Sequence, residues 1–190
     1  MTRFQGMEIY SIGHGNSLVS QFTELLKKYD IQTLVDVRST PYSKHCPHFD
    51  REYLSYYLQN KDIHYIHMGK KLGGRPTDPT VYFAGVVPQD SHDFLHLVNY
   101  PEIMTREWFK KGIDDLLEVA STQRTVYMCS EEDPSTCHRH FLIAQYLLGL
   151  GIDVKHIRAD GTIVEAHQLA RTPEKKNKKV ENSDMQLQLF

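Results

Sequence analysis

Apolar positions along the chain alternate between strand-like runs and helical spacing. "MEIYSIGH" (7–14) is a short apolar run with glycine at its end and predicts a strand. "SLVSQFTELLKKYD" (17–30) follows with Leu18, Phe22, Leu25, Leu26 and Tyr29 at helical spacing. "QTLVDVRS" (32–39) reads as a buried strand, and "DREYLSYYLQNKD" (50–62) as a helix capped by Asp50 with Tyr53, Leu54, Tyr57 and Leu58 on one face. "IHYIHM" (63–68) is a third strand. Residues 69–100 are rich in Gly and Pro and predict a long excursion; loops of that length in a compact domain are usually functional or mobile. A helix in "TREWFKKGIDDLLEVAS" (105–121), a strand in "RTVYMCSE" (124–131) and an almost wholly apolar helix in "PSTCHRHFLIAQYLLGLG" (134–151) come next. "DVKHIRADGTIVE" (153–165) supplies a last strand and a short hairpin or helix.

This alternation predicts an α/β fold, a mainly parallel sheet flanked by helices with right-handed crossovers. The 190 residues fit one domain, placed at 1–168, and a flexible tail at 169–190. The formal net charge of −2 excludes a protein-wide basic field for coating DNA. Three cysteines, Cys46, Cys129 and Cys137, cannot all pair within one chain, which argues against a disulfide-stapled secreted fold. With no signal-peptide stretch and no apolar run of membrane-spanning length, a cytoplasmic location is expected.

In parallel sheets ligands bind beyond the carboxyl ends of the strands. The residues there are His14, Asn16 and Ser17 after the first strand, then Asp36, Arg38, Ser39 and Tyr42 after the second. Arg75 follows the third, and Asp160 the last. The fourth leads into "CSEEDPSTCHR", with Cys129, Ser130, Glu131, Cys137, His138 and Arg139. Asp133 and Pro134 there predict a helix start, with Cys137, His138 and Arg139 in its first turns. A helix N-terminus attracts anions and favours thiolate, so Arg38, Arg139 and Ser130 are candidate phosphate holders. Glu131 or Asp36 is the candidate general acid or base, His14 or His138 the proton-transfer group, and Cys137 a weaker candidate nucleophile.

"KHCPHF" offers His45, Cys46 and His48 as soft metal donors, alone or joined to Cys137 and His138. Without paired CxxC spacing, no metal is expected there, and no cofactor is indicated. Cysteine-based phosphatase or sulfurtransferase loops are disfavoured, because two acids and a proline follow Cys129 and the arginine follows Cys137 too soon.

The chain resembles the family catalogued as domain of unknown function 488, through "YSIGHGNS", "LVDVRSTPYS", "IHYIHMGKKLGG", "VYMCSEEDPSTCHRHFLIA" and "VKHIRADG", over residues 8 to 161. The resemblance implies an α/β domain with these motifs lining one cleft. Matching positions are His14, Asp36, Arg38, Gly73, Gly74, Cys129, Glu131, Cys137, His138 and Arg139. An association with DNA repair or nucleic acid is implied, without a mechanism.

The chain ends in "QLQLF", which fits a bacterial sliding-clamp-binding peptide: Gln186 at the rim of a groove, with Leu187, Leu189 and Phe190 entering it. "TPEKKNKKVENSD" would be its polar tether. Two functions remain open at this point. One is a nucleic-acid- or nucleotide-processing enzyme brought to DNA by the clamp; the other is a non-catalytic adaptor using the same cleft for a nucleotide or another anion.

Overall fold

The computed structural model describes residues 6–43, 45–89 and 93–173. Six strands form one sheet: β1 (Glu8–Gly13), β2 (Thr33–Asp36), β3 (His64–His67), β4 (Thr125–Cys129), β5 (Asp153–Ile157) and β6 (Ile163–Glu165), in the order β3-β2-β4-β1-β5-β6. The first five are mutually parallel, and β6 closes the edge as an antiparallel hairpin on β5. The α/β reading of the sequence therefore holds.

Both faces of the sheet are covered, which is why the strands read as nearly continuous apolar runs. On one face Ile9, Val35 and Tyr127 pack with Phe109, Ile113 and Leu116 of the helix α6 (Glu107–Ala120). On the other, Tyr10, Ile12, Leu34, Val126 and Met128 meet Phe22 and Leu26 of α1 (Val19–Lys28) and Leu54 and Leu58 of α2 (Arg51–Gln59). Among its described residues the excursion holds short pieces: α3 (Gly69–Leu72), a 3-10 turn at Pro79–Val81, α4 (Phe94–Leu97) and the start of α5 (Tyr100–Thr105), with a bridge between Tyr82 and Val98. No helix among the described residues is long and apolar enough to cross a membrane.

Local expectations differ from the structure in three places. Leu18 is exposed because it precedes α1 rather than lying on its inner face. Asp50 stands before α2 but accepts a hydrogen bond from the Ser43 backbone at 2.8 Å instead of capping the helix. The helix expected at 134–151 is broken. A 3-10 turn (Pro134–Thr136) is capped by Asp133, whose side chain accepts from Ser135 N at 2.8 Å. Cys137 is extended (φ −134°, ψ 142°), a π-helical segment spans Arg139–Ala144, and α7 covers Gln145–Gly149. Cys137 thus lies outside the helix, and its carbonyl accepts from His140 N at 3.1 Å and Phe141 N at 3.3 Å to start it.

Because β4 is inserted between β1 and β2, the loops after all three come together. His14 N donates to Cys129 O at 3.1 Å, Gly15 N to Ser130 O at 2.8 Å and Val37 N to Met128 O at 3.0 Å. That junction is where the sequence concentrates its polar residues.

Candidate functional site

A cavity of about 590 Å³ opens over these strand ends. Arg38, Ser39, Tyr42, Arg75, Cys129, Ser130, Glu131, Cys137 and His138 line it, all named from the sequence. The excursion adds Phe94 and Tyr100, which periodicity could not assign to a site; their only signal was the length and Gly/Pro content of the segment. Arg75 is exposed, with its guanidinium 4.6 Å from the centre of the Phe94 ring.

The floor is compact. Cys129 Sγ lies 3.0 Å and Cys137 Sγ 3.1 Å from the same carboxylate oxygen, Oε2 of Glu131. His138 Nδ1 is 3.5 Å from Cys129 Sγ and 3.8 Å from Cys137 Sγ. Both cysteines and His138 are buried; Glu131 is exposed as a residue, but its carboxyl lies against the two sulfurs, and all four border the cavity.

Burial pushes the Cys129 thiol well up, and Cys137 reinforces it. Burial alone would raise Cys137 too, but its hydrogen bond with Cys129 and the charges of Arg139 and His138 hold it well below the ordinary thiol value. Glu131 is raised by burial of its carboxyl and by the negative charge at Cys137. His138, which burial would lower, is raised by that same charge. A thiol held low, an imidazole held high and a carboxyl held high lie side by side, an arrangement suited to proton exchange.

Other candidates stand behind it. Asp36 and Arg38 are 0% and 3% exposed, and they bind each other: Arg38 Nη2 donates to Asp36 Oδ2 at 2.6 Å and its Nε to Oδ1 at 2.9 Å. Tyr65 OH donates to Asp36 Oδ2 at 2.7 Å, so the carboxylate is enclosed, while Arg38 still borders the cavity. His14 stacks on Phe49 with ring centres 4.2 Å apart, and burial, aided by Arg38, lowers its pKa to about 4. It is neutral at physiological pH and lies outside the cavity lining. Arg139 is fully buried; its guanidinium donates to the carbonyls of Glu131 and, at 2.6 Å, Glu132. It therefore fixes the loop that carries Glu131, and it does not reach the cavity. Asp160 binds Thr162 in an exposed turn.

The metal-like "HCPH" stretch does not join the floor. Cys46 Sγ rests 3.7 Å from Gly15 O and 3.8 Å from Asn16 Oδ1, and His48 Nε2 is 3.0 Å from Ser17 O. The tail residues Gln186, Leu187, Leu189 and Phe190 lie outside the described residues.

The family model for domain of unknown function DUF488 matches residues 18–147, a span that includes the whole cavity floor. No curated protein and no solved structure matches the chain.

Proposed function

The chain belongs to the DUF488 family, a domain of unknown function, and we propose that it is an enzyme that processes a nucleotide or nucleic acid in the strand-end cavity. The observation that carries this reading is the convergence of Cys129, Glu131, Cys137 and His138 on the floor of a cavity that Arg38 and Arg75 also line. Its volume, about 590 Å³, lies within the roughly 300–1,000 Å³ of small-molecule sites. Exposed Tyr42 supplies a face on which a base can stack, and Arg75, whose guanidinium lies over the Phe94 ring, makes no salt bridge among the described residues, leaving its charge for a phosphate. Glu131 is the proton-handling group, because its carboxyl borders the cavity between the two sulfurs and burial, with the charge at Cys137, raises its pKa.

Replacing Glu131 by Gln is expected to reduce turnover of a nucleotide substrate by at least about 100-fold while leaving its binding within about threefold. Single-turnover kinetics and calorimetry on the same preparation separate the two. An adaptor would show no turnover in the parent protein and only altered binding in the variant.

The proposed place of action is the sliding clamp. Five terminal residues with four specified positions, on a polar tether holding four lysines and three acids, support an address for a groove on a partner. Titration of the intact protein against a bacterial clamp by fluorescence polarisation is expected to saturate. Removing Gln186 to Phe190 is expected to abolish it. Equal binding by both chains, or none by either, would sink the clamp assignment.

A further inference from the structure

The four floor side chains have a spacing that substrate contact does not require. Their donor atoms all lie within 4.8 Å of one another. Bonds of about 2.3 Å to sulfur and about 2.0–2.1 Å to nitrogen and oxygen place the corners of a tetrahedron roughly 3.3–3.8 Å apart. The separations of His138 Nδ1 from the two sulfurs, 3.5 and 3.8 Å, fall in that range. Those from Glu131 Oε2 to the sulfurs, 3.0 and 3.1 Å, lie within about half an ångström of it.

The surroundings brace these atoms. Arg139 ties down the Glu131 and Glu132 carbonyls, and its backbone N–H donates to Cys137 Sγ at 3.4 Å. A Cβ on Gly74 would come within 2.7 Å of the His138 ring, so the imidazole is wedged in place. His138 Nε2 is buried and has no partner among the described residues, so the ring's polar attachments are the two sulfurs facing Nδ1. Two thiols sharing one carboxylate oxygen and one imidazole nitrogen make a sparse hydrogen-bonded set but a complete ligand set.

We propose that Cys129, Cys137 and His138, with Glu131 as the fourth ligand, bind a zinc-class divalent ion. Two sulfurs and an imidazole select zinc over the hard cations magnesium and calcium, which prefer oxygen. All four ligands border the cavity, so a position on the ion can be yielded to water or a bound molecule. The inference needs no assumption about the substrate.

Metal content of the full chain, purified without chelator or added metal, is expected to be about one zinc per protein by mass spectrometry. After zinc removal, cobalt(II) is expected to give a sulfur-to-cobalt charge-transfer band. Cys46→Ser should keep both signatures. Cys129→Ser with Cys137→Ser should lose the band and weaken zinc binding at least about tenfold. A wild-type chain with native circular dichroism that holds no zinc and gives no thiolate–cobalt band would overturn the site, whatever the variants do. So would undiminished zinc binding by the double variant, or a Cys129–Cys137 disulfide in the native protein. Zinc binding without nucleotide turnover would leave this inference standing and sink the proposed enzyme.

Discussion

Gly13→Ala is expected to lower the unfolding free energy by about 3 kcal/mol or more, or to leave the chain insoluble. A Cβ at this position would sit 1.7 Å from Glu131 O and 2.6 Å from its carbonyl carbon. Both are backbone atoms, so no rotamer change relieves the overlap. β1 is clamped between β4 and β5, while the Glu131 carbonyl is held by Arg139, so neither side yields freely. Entropy lost from the unfolded chain would return at most about 1 kcal/mol. The displaced loop carries Glu131, so zinc binding should fall with stability. Gly149→Ala is the control: nothing lies within 4 Å of its added methyl, and this helical position should be neutral or gain up to about 1 kcal/mol. Urea unfolding of both variants decides it, and a Gly13→Ala protein as stable as the parent would show that the loop is not packed against β1 as described.

The second large effect is at Asp36. Asp36→Ala is expected to cost about 3–5 kcal/mol, because it strands the Arg38 guanidinium as an unpaired buried charge. The carboxylate accepts from Arg38 Nε, Nη2 and backbone N and from Tyr65 OH, and water cannot replace these at a site that is 0% exposed. Removing both charges in Asp36→Leu with Arg38→Met should recover a large part of the loss, since the penalty comes from isolation rather than from the pair itself. If Asp36→Ala instead unfolds within about 1 kcal/mol of the parent while turnover collapses, Asp36 takes part in the chemistry.

Periodicity locates the sheet well because the central strands β1, β2 and β4, buried on both faces, leave near-continuous apolar runs such as "VYM" in β4. It also brought Cys129, Glu131, Cys137 and His138 onto one short list, since strand ends are where polar residues break such runs. Their convergence was not legible. Neither cysteine belongs to a CxxC pair, and the contact depends on the 130–136 loop turning back under Arg139. The sequence marks Arg139 as a holder of anions; it shows a positive charge near a helix start but not which backbone carbonyls consume it. Glycines flank His14, and at Gly13 what comes close is the backbone of Glu131, not a ligand. The chain of Ser11, His156 and His140 was not anticipated either. Ser11 Oγ and His156 Nδ1 are 2.6 Å apart, and His156 Nε2 and His140 Nδ1 3.0 Å. Burial, with Arg139 next, pushes His156 down to about 2, so the pair is a neutral polar link inside an otherwise apolar stretch.

The position of β1 also has a consequence in time. Its two neighbours, β4 and β5, occupy 125–129 and 153–157, so the first strand made is among the last to be paired. Until β4 and β5 leave the ribosome, the apolar run after Glu8 has two open edges, while α1 can already cover the face that carries Tyr10 and Ile12. The centre of the sheet is thus left with open edges while the intervening chain is made, a nascent segment that a chaperone would shelter.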